Sequence, residues 1–140
     1  MFDNFGPYHM DRLASLRAHG SVVALEASPA RSEYAWVKPE LPEGLDYAPF
    51  ALSGAEVSTP GCIERELDRL LGAQPPDVIA VPGWALLASL VTTRWSVKRN
   101  IRVVGMSETN SYDEPRRAAT EAVKRLVVSH YSGEIGRAHV

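Results

Sequence analysis

Apolar residues in this chain follow two rhythms: short, nearly unbroken runs alternate with stretches in which apolar positions recur every three or four residues. The runs are Ser21-Val22-Val23-Ala24-Leu25-Glu26 after Gly20, Tyr47-Ala48-Pro49-Phe50 with its weakening proline, Asp77-Val78-Ile79-Ala80-Val81, and Ile101-Arg102-Val103-Val104-Gly105-Met106. The third is the clearest, set between Pro75-Pro76 and Pro82-Gly83, and each reads as a strand stopped by turn-forming residues. Between them, Met10, Leu13 and Leu16 share one helical face, as do Ile63, Leu67, Leu70 and Leu71. The same spacing joins Leu86, Leu87, Leu90 and Val91, and later Ala119, Ala122, Val123, Leu126 and Val127. Continuous apolar strands linked by helices predict an α/β fold, a Rossmann-like doubly wound parallel sheet with helices on both faces.

A length of 140 residues predicts one domain, long enough to bury roughly two-thirds of its unfolded surface. Only Met1-Phe2-Asp3 stand before the turn at Gly6, so the first strand reads as short by several residues, since strands usually run about five or six. At the other end, Ile135-Gly136-Arg137-Ala138-His139-Val140 matches the translation of a short-read sequencing adapter. The expected domain is therefore residues 1–134, with 135–140 a scar that removes His139 from any site.

Charge narrows the classes further. Fifteen Lys and Arg against seventeen Asp and Glu give a net charge of −2, and the cations are scattered rather than gathered in a stripe, so nucleic acid is not an expected partner. No apolar run approaches the ~20 residues that span a bilayer, and no charged-then-apolar leader opens the chain, which reads as cytoplasmic. Cys62 is the single cysteine, which rules out an internal disulfide, and no Cys and His spacing suggests a metal. Its place after Pro60-Gly61 fits either a reactive thiol at a helix start or, as expected here, a small buried hydrophobe.

Candidate chemistry gathers in the turns that follow the strands. Gly6-Pro7-Tyr8-His9 leads straight into a helix: proline suits the first helical position, and the glycine before it lets backbone approach a ligand. The free amides of that helix end can receive an anion or a sugar hydroxyl. In an open parallel sheet, ligands bind beyond the carboxyl ends of strands where strand order reverses. Gly6, Gly83-Trp84 and Ser107-Glu108-Thr109 would then meet on one rim.

Each of these residues also has a plain structural reading. His9 either bonds an acceptor hydroxyl or faces solvent, and Trp84 either stacks on a sugar ring or packs. Glu108 is a base or sugar ligand on one reading and a loop carboxylate on the other. Arg116 and Arg117 open the last helix, where positive charge opposes the helix dipole and hints at an anionic partner, unless they only line a solvated face. Lys124-Arg125 reads as surface charge. The stretch from Ala27 to Pro60 is the least legible, and Arg31-Ser32-Glu33-Tyr34-Ala35-Trp36 within it reads as a flap over the acceptor side or as hydrophobic anchors for a long loop.

An ordered set of motifs resembles the amino-terminal domain of a family 4 glycosyltransferase of the GT-B fold. The set is Phe5-Gly6-Pro7-Tyr8-His9 with Arg12-Leu13, Pro76-Asp77-Val78-Ile79-Ala80-Val81-Pro82-Gly83-Trp84, and Met106-Ser107-Glu108-Thr109 with Arg116 and Glu121-Ala122-Val123-Lys124-Arg125. The resemblance spans most of the chain and implies a two-domain retaining enzyme that moves a sugar from a nucleotide sugar to an acceptor hydroxyl, without a metal or other cofactor. This half would form the acceptor side, with His9 catalytic and Gly6, Pro7, Tyr8, Gly83, Trp84, Ser107, Glu108, Thr109 and Arg116 binding substrate. The donor-binding carboxyl-terminal domain would be missing, the chain alone inactive, and peripheral contact with the inner face of a membrane is allowed. A non-catalytic doubly wound ligand- or nucleotide-binding module is the alternative. Glu26 stands where a ribose-binding acid would, about twenty residues past the first loop, but that loop lacks the glycine triplet of a dinucleotide site. A receiver domain would need paired acids near the first strand, and Asp3 alone does not make the pair.

Overall fold

The computed structural model describes residues 5–27, 40–52, 54–106 and 118–135. Helix α1 (Pro7–Arg17) starts where the Gly6-Pro7 turn predicts, with Gly6 extended at the cap and proline at the first position. It is followed by β1 (Val23–Glu26), β2 (Asp46–Pro49) and a short 3-10 turn at Gly54–Ser58. Helix α2 (Pro60–Leu71) repeats the proline start, and then come β3 (Val78–Val81), α3 (Leu87–Lys98), β4 (Arg102–Met106), α4 (Ala118–Val128) and β5 (Gly133–Ile135). The four legible apolar runs are thus strands: three are trimmed by a residue or two at their starts, and the Tyr47 run is shifted one residue earlier, to Asp46–Pro49.

All strand pairs among the described residues are parallel, in a mixed α/β structure. Among the described residues they form a two-stranded sheet, β1-β2, and a three-stranded one ordered β3-β4-β5. Leu25 lies opposite Ala48 in the first, and Ile79 opposite Val103 in the second. Pro49 is tolerated because it closes β2, where a missing amide costs least. The short first strand expected at Met1-Phe2-Asp3 lies outside the described residues. Strand β5 was not legible: it is three residues of Gly, Glu and Ile, formed because β4 offers it a partner, with Ile135 opposite Met106. The strand therefore runs into the first residue of the adapter-like hexapeptide.

One apolar core serves both sheets. Leu25 and Phe50 from the β1-β2 side share it with Ile79, Val81 and Val103 from the other sheet, covered by Ile63 and Leu67 of α2 and Val91 and Trp95 of α3. A smaller cluster under α1 joins Phe5, Met10, Leu13 and Ala24. Cys62 is buried on α2, as expected of a small hydrophobe, and Arg65 donates a hydrogen bond to its Sγ at 3.1 Å.

Periodicity did not settle burial on three helices. Leu16 is exposed at the end of α1, and Val123 and Leu126 are exposed on α4. The larger departure is α3, whose buried side carries Ala88, Ser89, Thr92, Thr93, Trp95 and Ser96 with Val91 of the expected face, while Leu86 and Leu87 are exposed. Spacing shows which residues share a face, not which face the sheet covers. Small side chains let α3 lie close over β3 and β4, and Thr93 satisfies its own hydroxyl on the Ser89 carbonyl at 2.8 Å.

Two polar ties fix α2. Asp68 Oδ1 accepts the Trp95 indole N–H at 2.9 Å and an Arg99 N–H at 2.6 Å, with the guanidinium 4.4 Å over the Trp95 ring, so the last turns of α2 and α3 are clasped together. Buried Glu66 accepts the Ala51 backbone N–H at 2.7 Å through Oε2 and is held bidentately by Arg69 at 2.7 and 3.1 Å. That bond to Arg69 holds the Glu66 carboxyl below its ordinary range, against the opposing effect of burial, and the Ala51 amide adds to the lowering.

A carboxyl whose folded pKa is depressed stabilises the fold above the ordinary carboxylate range, and that contribution disappears as pH falls through the folded value. Glu66→Ala leaves the Ala51 amide and Arg69 without their partner and is expected to cost about 1–3 kcal/mol at neutral pH by urea unfolding. In Glu66→Gln, the stability gap to wild type is expected to be widest at neutral pH and to close as pH drops below ~4. A gap independent of pH would show that the Glu66 charge contributes nothing.

Candidate functional site

The turn into α1 is anchored by a buried carboxyl group. Glu26, 3 % exposed at the carboxyl end of β1, accepts the Phe5 backbone N–H through Oε1 at 3.1 Å, and the Tyr47 hydroxyl of β2 donates to Oε2. The Phe50 backbone N–H donates to the Glu26 carbonyl at 2.9 Å. This one residue therefore ties the entry to α1, the end of β1 and the exit from β2 into a fixed corner. Sequence reading offered Glu26 as a ribose ligand; the structure uses its carboxyl group inward.

His9 completes the turn. Its backbone N–H donates to the Gly6 carbonyl at 3.0 Å, and its Nδ1 accepts the Gly6 N–H at 3.0 Å, so the side chain caps its own helix. The ring is half-buried and meets the Phe5 ring edge-on, centroids 6.0 Å apart and planes at 73°. An accepting Nδ1 puts the neutral ring's proton on Nε2. His9 in this state is a donor at Nε2 in the first turn of a helix whose amides favour negative charge. The half-burial and the Gly6 bond give the ring a structural role in the turn. Pro7 occupies the first position of α1 and Tyr8 follows it.

The second group of candidates follows β3. Gly83 is buried with φ 117°, a conformation that any side chain would strain, although nothing lies within 4 Å of where a Cβ would stand. The glycine is thus required by the backbone path, which swings from β3 toward the start of α3. Trp84 beside it is half-buried, leaving part of its ring accessible. Among the described residues, β1 and β3 belong to different sheets, so no strand pairing there links the Gly6 turn to the Gly83-Trp84 turn.

Ser107, Glu108, Thr109, Arg116 and Arg117 lie outside the described residues, as do Arg31 to Trp36 and His139. On α4, Lys124 is half-buried and Arg125 exposed. Among the described residues, no three His, Cys, Asp or Glu side chains come together as a metal site would need, and no helix is long and apolar enough to cross a membrane. The residues that sequence reasoning undervalued are Glu26 and Tyr47. The signal for Glu26 was in view, an acid closing an apolar strand, but its partners are distant in sequence.

Replacing His9 with alanine removes the acceptor of the Gly6 amide and the edge contact with Phe5. The expected loss is about 1 kcal/mol, the usual cost of deleting a helix cap, read by urea unfolding; a change within error would show that the cap contributes nothing to stability. The chain matches no protein-family model, no curated protein and no solved structure.

Proposed function

We propose that this chain is the acceptor-side half of a retaining, metal-independent glycosyltransferase of GT-B type. On this reading it works in the cytoplasm with a nucleotide sugar as donor and a glycan or small molecule as acceptor. The observation that carries the reading is the Gly6-Pro7 turn, held by Glu26 so that His9 stands in the first turn of α1 beside the carboxyl end of a parallel strand. That is where an α/β fold receives ligands. The finer architecture belongs to the same proposal. The pair β2-β1 and the triplet β3-β4-β5 are the two flanks of one Rossmann-like doubly wound sheet, with the chain entering α1 between them. The single core shared by both sheets supports this, as does the Phe5 amide on the end of β1. In that arrangement Gly83-Trp84 and the residues after β4 reach the same cleft as Gly6.

In this mechanism His9 offers a hydrogen bond from Nε2 to an acceptor or sugar hydroxyl, and the α1 amides favour developing negative charge. Trp84 presents its accessible ring to a sugar face, and Ser107, Glu108, Thr109 and Arg116 contribute further polar contacts. The donor half supplies the groups that stabilise the departing nucleoside diphosphate. A dinucleotide-binding module is disfavoured because the carboxyl group that would hold the ribose is spent on Phe5 and Tyr47.

The chain alone is expected to release no nucleoside diphosphate from any nucleotide sugar, and turnover by the purified chain would overturn the half-enzyme reading. Joined to a donor-binding half, His9→Ala is expected to lower kcat/KM by about 1–3 kcal/mol in transition-state terms, beyond its effect on stability. An unchanged kcat/KM would remove His9 from the chemistry, and activity abolished by a chelator and restored by a divalent ion would contradict the metal-independent reading.

A further inference from the structure

The start of α3 leaves a set of hydrogen-bond donors unanswered. Leu86 stands at the cap, extended and without a side chain that can accept, where serine, threonine, aspartate or asparagine usually serves. The helix ladder opens with the Leu90 N–H on the Leu86 carbonyl at 3.1 Å, and the amides of Leu87, Ala88 and Ser89 before it take no acceptor among the described residues. At α1 and α2 the third amide is taken up, His9 on the Gly6 carbonyl and Cys62 on the Thr59 carbonyl, each at 3.0 Å. Ala88 and Ser89 are 7 % and 0 % exposed, and a buried donor left unpaired is costly. The Ser89 side chain is a second, independent case. Its Oγ is buried without a partner, and the Cα–Cβ bond of a helical residue tilts toward the N-terminus, which carries the hydroxyl over this same turn. Just upstream, Gly83 is buried too, yet nothing lies within 4 Å of where its Cβ would stand.

We propose that the first turn of α3 binds a phosphoryl group, whose oxygens accept from the Leu87, Ala88 and Ser89 amides and from the Ser89 hydroxyl. Charge and donor number select the ligand. The free amides at a helix start favour an anion. Four donors within one turn outnumber the two oxygens of a carboxylate, whereas a phosphate presents three strong acceptors. Leu86 and Leu87 beside the donors are exposed, so the turn is reached from solvent. It also follows β3 at the strand's carboxyl end, where parallel sheets receive ligands. The inference does not rest on the transferase reading, since it needs neither His9 nor any nucleotide sugar.

The test is an amide NMR titration of the purified chain with inorganic phosphate, methyl phosphate and acetate at one ionic strength. Inorganic phosphate is expected to shift the Leu87, Ala88 and Ser89 amides saturably, and acetate to bind more weakly. The same shifts with methyl phosphate assign the site to a phosphate ester, and shifts with inorganic phosphate alone assign it to the free ion. Ser89→Ala is expected to weaken phosphate binding about tenfold, as for one lost hydrogen bond to a charged group, with a melting temperature no lower than wild type. Ser96→Ala removes another buried hydroxyl without a partner, about 10 Å further along the helix, and is expected to leave binding unchanged. Leu86→Asp supplies a carboxylate at the cap and is expected to raise the melting temperature while excluding phosphate. Absence of a saturable shift at these amides would overturn the proposal. So would binding that Ser89→Ala leaves unchanged or Ser96→Ala weakens equally, or acetate binding more tightly than phosphate.

Discussion

Burying a carboxyl group is costly unless hydrogen-bond donors come with it, and that constraint on Glu26 organises the functional end of the molecule. The donors it takes are the Phe5 amide and the Tyr47 hydroxyl, from segments far apart in sequence. Meeting the demand of one side chain therefore fixes where the chain enters α1 relative to β1 and β2. Everything proposed for the turn, from the Gly6 amide on His9 to the orientation of the α1 amides, depends on that corner being rigid. A shorter or apolar residue at the end of β1 would remove this tie between the turn and the ends of β1 and β2, beside the small cluster of Phe5, Met10, Leu13 and Ala24.

The same logic recurs at α2, where polar groups hold the framework that apolar packing has brought together. Glu66 answers the Ala51 amide just past β2, and Asp68 clasps Trp95 and Arg99 at the far end of α3. Such contacts are worth little on their own at a surface. Their value here is positional: they set α2 against both the β1-β2 side and α3, over a core drawn from both sheets. Helix α3 can then bury its serines and threonines beside Val91 and Trp95 while Leu86, Leu87 and Val97 stay exposed.

His9 links the framework to the chemistry. A histidine whose Nδ1 caps its own helix has its tautomer chosen for it, so the proton of the neutral ring sits on Nε2. The bond that makes the residue structural also prepares it as a donor. Gly83 plays the complementary part after β3, where a left-handed backbone permits the swing toward α3.

The sequence by itself determined the local elements: the four apolar runs, the proline-started helices α1 and α2, and the parallel α/β class, because strand and helix periods and turn residues are short-range properties. The burial of Cys62 was legible for the same reason. Only the tertiary structure decided that Glu26 faces inward, that α3 buries its serines and threonines, and that Gly133–Ile135 becomes a strand. Each of those outcomes depends on a partner many residues away: the Phe5 amide, the surface of β3 and β4, and the free edge of β4. A side chain's periodicity states which neighbours lie on its own face, while burial and bonding are set by whatever the rest of the chain brings against it.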